Sequence, residues 1–225
     1  MRKYTLGMFA MLLAFMLGPP GKLRADTVSM ELTGVSQYLG DYYIAPYTIS
    51  VNGRTYSLIC DDAYDEISKG ESWTATTETF SNPSGALFYS TYGSVGYQEA
   101  GWLAQQIMAN ITDTVTAGEY QYALWDLFDP GFSDSAGVGA YATEIANDLQ
   151  AAESACGSGS CSYSGTIYTP STWTGQPSNR PQEFLAVAMP EPMTLWSLLL
   201  ALAAIGVACK LMDKTTVKSS ASASA

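Results

Sequence analysis

The hydrophobic pattern of this chain changes period twice, from two to about 3.6 and back. That alternation restricts the fold more than any other feature of the sequence. Val28 to Val35, Tyr43 to Val51 and Thr55 to Cys60 are rich in β-branched and aromatic residues and read as strands. Asn52-Gly53 separates the last two, and both residues tolerate positive φ, so a tight hairpin is expected. Ser72 to Phe80 reads as a fourth strand. Ala100, Leu103, Ala104, Ile107 and Ile111 then fall at helical spacing. A second helix is expected to start at Thr116, with Glu119 completing a capping box, and to stop near Phe128 before Pro130-Gly131. Val138, Tyr141, Ile145 and Leu149 mark a third. Strand character returns at Gly165 to Thr169 and Glu183 to Met189, with loops expected over 154–165 and over Thr169 to Arg180. The expected class is α+β: a β-rich barrel or sandwich with a three-helix insertion.

The two ends have a different character. Arg2 and Lys3, the apolar run Leu6 to Leu17 and the helix-breaking Gly18-Pro19-Pro20 form a signal peptide over 1–25, with cleavage expected after Ala25. Met193 to Cys209 carries no charge and is long enough for a short transmembrane helix. Lys210, Lys214 and Lys218 follow, which places 210–225 as a cytoplasmic tail. Pro190-Glu191-Pro192 stands directly before the helix. A Pro-Glu-Pro motif, an apolar helix and basic charge, in that order, resemble the PEP-CTERM sorting signal, here spanning 190–218. The resemblance implies an exosortase-type processing enzyme as partner, inner-membrane anchoring during sorting, and a final place on the cell surface or in the extracellular matrix. The exported part is then 26–189.

Between residues 26 and 191 three basic residues, Arg54, Lys69 and Arg180, face twenty acidic ones. Such a surface repels phosphate backbones, so nucleic acid is not an expected partner. The chain has no histidine, which excludes Ser-His-Asp and Cys-His catalysis and every His-containing metal site. No metal and no cofactor is expected. Outside the cytoplasm thiols oxidise in pairs. Cys156 and Cys161 flank Gly-Ser-Gly-Ser and are placed to close a local disulfide, leaving Cys60 unpaired in the exported part. Pairing of Cys60 with either of them is the alternative, and a buried inert thiol is the bland one.

Gln121 shares a helix face with Leu124, Trp125 and Phe128. A carboxamide on such a stripe must find a partner, because an unpaired buried amide costs about 1–3 kcal/mol. Leu58-Ile59-Cys60-Asp61 and Tyr120-Gln121-Tyr122-Ala123-Leu124-Trp125 resemble the paired motifs of bacterial thioester domains: a strand cysteine and a Gln-x-Ala-apolar-Trp helix. Tyr120 stands where that family carries Thr or Ser. The resemblance implies a bond between the Cys60 sulfur and the Gln121 side chain, with Tyr122, Trp125 and Asp61 around it. It also implies an upstream helical glutamine, for which Gln98 and Gln105 both qualify. Such a bond would let an amine or hydroxyl on a host surface, a matrix component or a polysaccharide displace the sulfur.

The function expected is therefore that of an exported adhesion-type protein, not an enzyme. A non-covalent structural or glycan-binding matrix protein is the alternative, and a secreted hydrolase stands third. Asp61, Asp62, Asp65 and Glu66 lack the glycine and terminal glutamate of an EF-hand loop and read as a solvated turn. Trp73, Trp102, Trp125 and Trp173 read as core residues, except Trp173 in its loop.

Overall fold

The computed structural model of the protein describes residues 26–157, 159, 161–173 and 180–188. The signal peptide with Ala25, the Pro190-Glu191-Pro192 motif, the apolar segment 193–209 and the tail lie outside the described residues. Among the described residues, no helix is long and apolar enough to cross a membrane.

Six strands close into an antiparallel barrel: β1 (Thr27–Leu39), β2 (Tyr42–Val51), β3 (Arg54–Cys60), β4 (Ser72–Thr79), β5 (Gly165–Trp173) and β6 (Phe184–Val187). Their order around the barrel is β1-β2-β3-β6-β5-β4, with β4 returning to β1. The β3–β6 seam is short, with pairs only at Ile59–Leu185 and Cys60–Phe184. The β2–β3 hairpin turns at Asn52-Gly53, and both residues have positive φ, 48° and 78°. That is the conformation for which the dipeptide was read. Two strands run longer than their sequence pattern suggested. β1 continues to Leu39, and β5 continues through Ser171, Thr172 and Trp173, where a loop was expected. Pairing with β4 keeps that polar stretch extended, with Thr74 opposite Thr172 and Trp73 opposite Trp173.

The inward face of the barrel is fixed by rings that meet across it. Phe184 of β6 contacts Tyr47 of β2 at 5.4 Å and Trp73 of β4 at 6.0 Å, although neither strand is its neighbour. Those three side chains therefore point inward. Strand alternation and register then place Met30, Ile49 and Leu58 on the same face, all fully buried. At one end of the barrel this face finishes at Cys60, paired with Phe184. At the other end it finishes at Arg54.

The insertion between β4 and β5 contains α1 (Tyr89–Ala109), kinked at Gly93, α2 (Thr114–Phe128), a single turn α3 (Phe132–Ser135), a 3₁₀ turn at Gly139–Tyr141 and α4 (Ala142–Cys156). Helix α2 begins two residues before the expected start. Its cap is Asp113, whose carboxylate accepts the Val115 and Thr116 backbone N–H groups and the Thr116 hydroxyl. Asp113 outcompetes the Thr116–Glu119 box because it satisfies two orphan N–H groups from one side chain.

Helix α2 packs directly on β1 and β2. Gly118 allows this: a Cβ there would lie 2.5 Å from Leu39 Cδ2 and 3.3 Å from Ile44 Cδ1. Gly118→Val should push the helix off the barrel and destabilise the fold by about 1–3 kcal/mol. Chemical denaturation of the variant against the wild type measures this, and an unchanged midpoint would contradict the close packing described.

Candidate functional site

Gly118 sits three residues before Gln121, so the close approach of α2 drives the Gln121 carboxamide into the barrel end. There Gln121 Nε2 donates to the Cys60 carbonyl oxygen at 2.7 Å. Gln121 Oε1 accepts from the Ala45 backbone N–H at 3.3 Å. Both residues are fully buried. A strand-end cysteine and a helix glutamine, 61 positions apart, are thus brought together through the cysteine's backbone carbonyl.

Ala45 is available because β2 is bulged. Opposite Ser36 of β1, strand β2 carries the two residues Ala45 and Pro46. The bulge breaks the ladder, proline has no N–H, and the Ala45 N–H turns to the glutamine instead. Nothing in the local sequence around Cys60 or Gln121 announces this donor. A proline inside an otherwise clean strand pattern is the signal that could have found it.

Cys60 is a free thiol, and its Sγ donates to the Asp62 carbonyl oxygen at 3.0 Å. Burial pushes its pKa well up, and the negative charges of Asp62 and Asp61 push the same way. A backbone hydrogen bond from Asp62 to the sulfur and the nearby Trp125 indole N–H oppose them. That indole N–H is buried without a conventional hydrogen-bond partner, so it is left to face the sulfur. At neutral pH the sulfur is a protonated thiol. Cys156 and Cys161 are joined in a disulfide with Cα atoms 4.9 Å apart, so neither competes for Cys60.

An aromatic shell closes the site. Tyr122 contacts Trp125 at 5.1 Å, and Phe132 contacts Trp125 at 5.5 Å. Tyr42 lies over both Trp125 and Phe132, and Tyr64 adds an exposed ring against Phe132. The Tyr122 hydroxyl donates to the Leu39 carbonyl oxygen at 2.8 Å, which fixes the ring. Phe132 arrives through a pinned turn. Gly131 has φ 89°, and the Ser133 N–H and hydroxyl both donate to the Asp126 carboxylate, at 2.8 and 2.5 Å. Phe132, Tyr42 and Tyr64 were not singled out from sequence, since the turn that gathers them spans separate elements.

The acidic turn differs most from its reading as a solvated cluster. Asp61 and Asp62 are buried, at 0% and 2% exposure. Asp61 faces Glu183, itself fully buried at the foot of β6. Glu183 accepts from the Tyr97 hydroxyl at 2.6 Å, from the Leu87 N–H at 2.9 Å and from the Thr169 hydroxyl. Glu183 holds the donors, so the proton of the pair resides on Asp61, whose pKa burial and the Glu183 charge push well up. Asp62 is raised to about 7 by burial and by its contact with Asp65, with Arg180 offsetting part of the rise. Arg180 binds Asp65 at 2.6 Å and Gln182 Nε2 donates to the Asp62 carbonyl oxygen at 2.9 Å, tying the segment before β6 to the cysteine loop. No group of residues that would hold a metal ion occurs among the described residues.

Gln98, one of the two candidates for the upstream helical glutamine, is not at this site. It donates to the Phe80 carbonyl oxygen at 3.1 Å and accepts from the Tyr163 N–H at 2.6 Å, clamping the segment that enters β5.

These raised carboxyl values fix the sign of a pH dependence. Folding favours the protonated forms, so their contribution is complete below the ordinary value of 3.8. It is lost as pH rises through about 6 for Asp148, which burial raises, and about 7 for Asp62. The unfolding midpoint should rise on acidification from about pH 7.5 to about pH 4.5, and Asp62→Asn should flatten that rise. Thermal melts across this window check it; a wild-type midpoint that falls on acidification would contradict the burial assigned to the pair.

No family model matches the chain, and no curated protein matches it. Among solved structures, it is similar to the N-terminal thioester domain of a surface protein from Clostridium perfringens, at 10% sequence identity and a TM-score of 0.42. That similarity covers 72% of this chain and all of the other.

Proposed function

We propose that residues 26–189 form an exported adhesion domain that builds an internal thioester between Cys60 and Gln121 and uses it to attach covalently to a surface. The observation that carries this reading is the Gln121 carboxamide, buried, aligned at both ends and held against Cys60. The Cys60 sulfur attacks Gln121 Cδ. The carbonyl oxygen gains negative charge while it points at the Ala45 N–H, a fixed donor of the oxyanion-hole kind. The C–N bond to Nε2 breaks, and the thiol proton leaves with the nitrogen as ammonia. The S–C bond formed is a far better electrophile than the amide it replaces. An amine or hydroxyl on a target then displaces the sulfur, forming an amide or ester through Gln121 and returning Cys60 as a thiol. The domain acts once and is consumed, so it is not an enzyme.

Fixing the Gln121 carboxamide on the Cys60 backbone keeps the two residues adjacent, and that proximity supplies the effective concentration that an unactivated amide needs. Trp125, Tyr122 and Phe132 keep water from the site and slow hydrolysis of the product. Delivery rests on the terminal segments read from sequence: a signal peptide cleaved near Ala25, a transmembrane helix over 193–209 and an exosortase-type enzyme acting at Pro190-Glu191-Pro192.

Intact mass of the purified protein tests the chemistry. The wild type should weigh one ammonia less than its processed sequence, and Cys60→Ala and Gln121→Ala should each restore the full mass. Methylamine should add one amine to the wild type and free one titratable thiol. A wild type of full mass with its thiol intact would leave Cys60 and Gln121 as core residues of a passive module.

A further inference from the structure

The opposite end of the barrel has a character of its own. Along β3, Arg54, Tyr56, Leu58 and Cys60 share the inward face. Leu58 is buried within the barrel, whereas Arg54 and Tyr56 reach the open mouth. Arg54, at the rim of that mouth, lies about 20 Å along β3 from Cys60, at roughly 3.4 Å per strand residue. The mouth encloses a cavity of about 430 Å³, lined by Val28, Val51, Asn52, Arg54, Tyr56, Thr77 and Tyr168. The volume falls in the range of small-molecule pockets, about 300–1,000 Å³, and barrel mouths are frequent sites for them.

We propose that this mouth binds a carboxylate-bearing sugar ring, such as a uronate unit of a polysaccharide. Arg54 forms no ion pair among the described residues, in a region where acids outnumber bases twenty to three. Many carboxylates are at hand in the chain, and none of those described neutralises this guanidinium. Its planar fork matches a carboxylate in two-point contact. Tyr56 and Tyr168 line the mouth together, and neither hydroxyl has a hydrogen-bond partner among the described residues. The exposed Tyr56 ring offers a flat apolar face to sugar C–H groups, and the two hydroxyls offer partners to sugar oxygens. Asn52 uses its Oδ1 to accept the Ser29 N–H, which leaves its amide nitrogen to donate.

Other anions fit less well. A polyphosphate would meet one cation on a strongly acidic surface. A peptide would find only Val28 and Val51 to receive its apolar side chains. This site stands apart from the Cys60–Gln121 pair and does not depend on it.

Calorimetric titration of the full chain in mild detergent, with galacturonate, galactose and acetate as separate probes, tests the proposal. Galacturonate should bind at least about tenfold more tightly than galactose, as expected for one charge-assisted contact. Acetate should bind more weakly than galacturonate, because it lacks the ring. Arg54→Gln should abolish the preference for the acid, and Tyr56→Ser should weaken both sugars. Cys60→Ser should bind as the wild type does, which separates this result from the fate of the thioester. Absent galacturonate binding, equal binding of galactose, acetate as tight as galacturonate, or an Arg54→Gln variant that keeps the preference would each overturn it.

Discussion

One carboxamide ties the helical insertion to the barrel. Gln121 joins α2 to β2 through the Ala45 N–H and to β3 through the Cys60 carbonyl oxygen, and no water-accessible path relieves either contact. Buried amides must be satisfied at both ends or they cost the fold about 1–3 kcal/mol. The bulge at Ala45-Pro46, the glycine at 118 and the end of β3 at Cys60 therefore have to agree in position. Moving any of them would leave an unpaired group in a dry site.

The second constraint is the acid pair beneath it. Asp61 and Glu183 are both fully buried and share a neighbourhood with Tyr97 and Thr169. Two carboxylates cannot both stay ionised at such proximity without a cation. Arg180 does not serve that purpose, because it is engaged with Asp65 and, at 3.7 Å, with Asp62. Retaining one proton solves the problem and leaves a neutral acid beside an anion that is itself well supplied with donors. The arrangement links β3, β5, β6 and α1 at one point, so it organises the same barrel end that carries Cys60.

Much of this was legible from residues. Period two and period 3.6 marked six strands and the helices between them, and Asn52-Gly53 marked the hairpin. The local motifs around Cys60 and Gln121 pointed to each other across 61 positions, and the Gln121 carboxamide does reach the Cys60 backbone. What escaped was what depends on three-dimensional register. The Asp61-Asp62 turn looked solvated because acidic runs ordinarily are. Only the arrival of Glu183 and Arg180 from the far end of the chain explains their burial. Likewise, Thr116 and Glu119 satisfied a capping pattern that Asp113 takes over, and Ser171 and Thr172 looked like loop until β4 offered them a ladder.

The surroundings of Cys60 impose opposite demands on the proposed bond. Thiolates are the nucleophilic form, yet burial and two neighbouring aspartates hold this sulfur as a thiol. Attack on the amide then has to move the proton as the S–C bond forms, and the natural acceptor is the departing Nε2, which needs a proton to leave as ammonia. The same burial that disfavours the thiolate keeps water away once the acyl-sulfur bond exists. A site tuned for a lower thiol pKa would be more open or more cationic, and either change would admit the water or the stray nucleophile that destroys the product. Slow formation and long survival therefore follow from a single cause, the closed aromatic shell over the end of β3. For a domain that reacts once, survival is the property that matters.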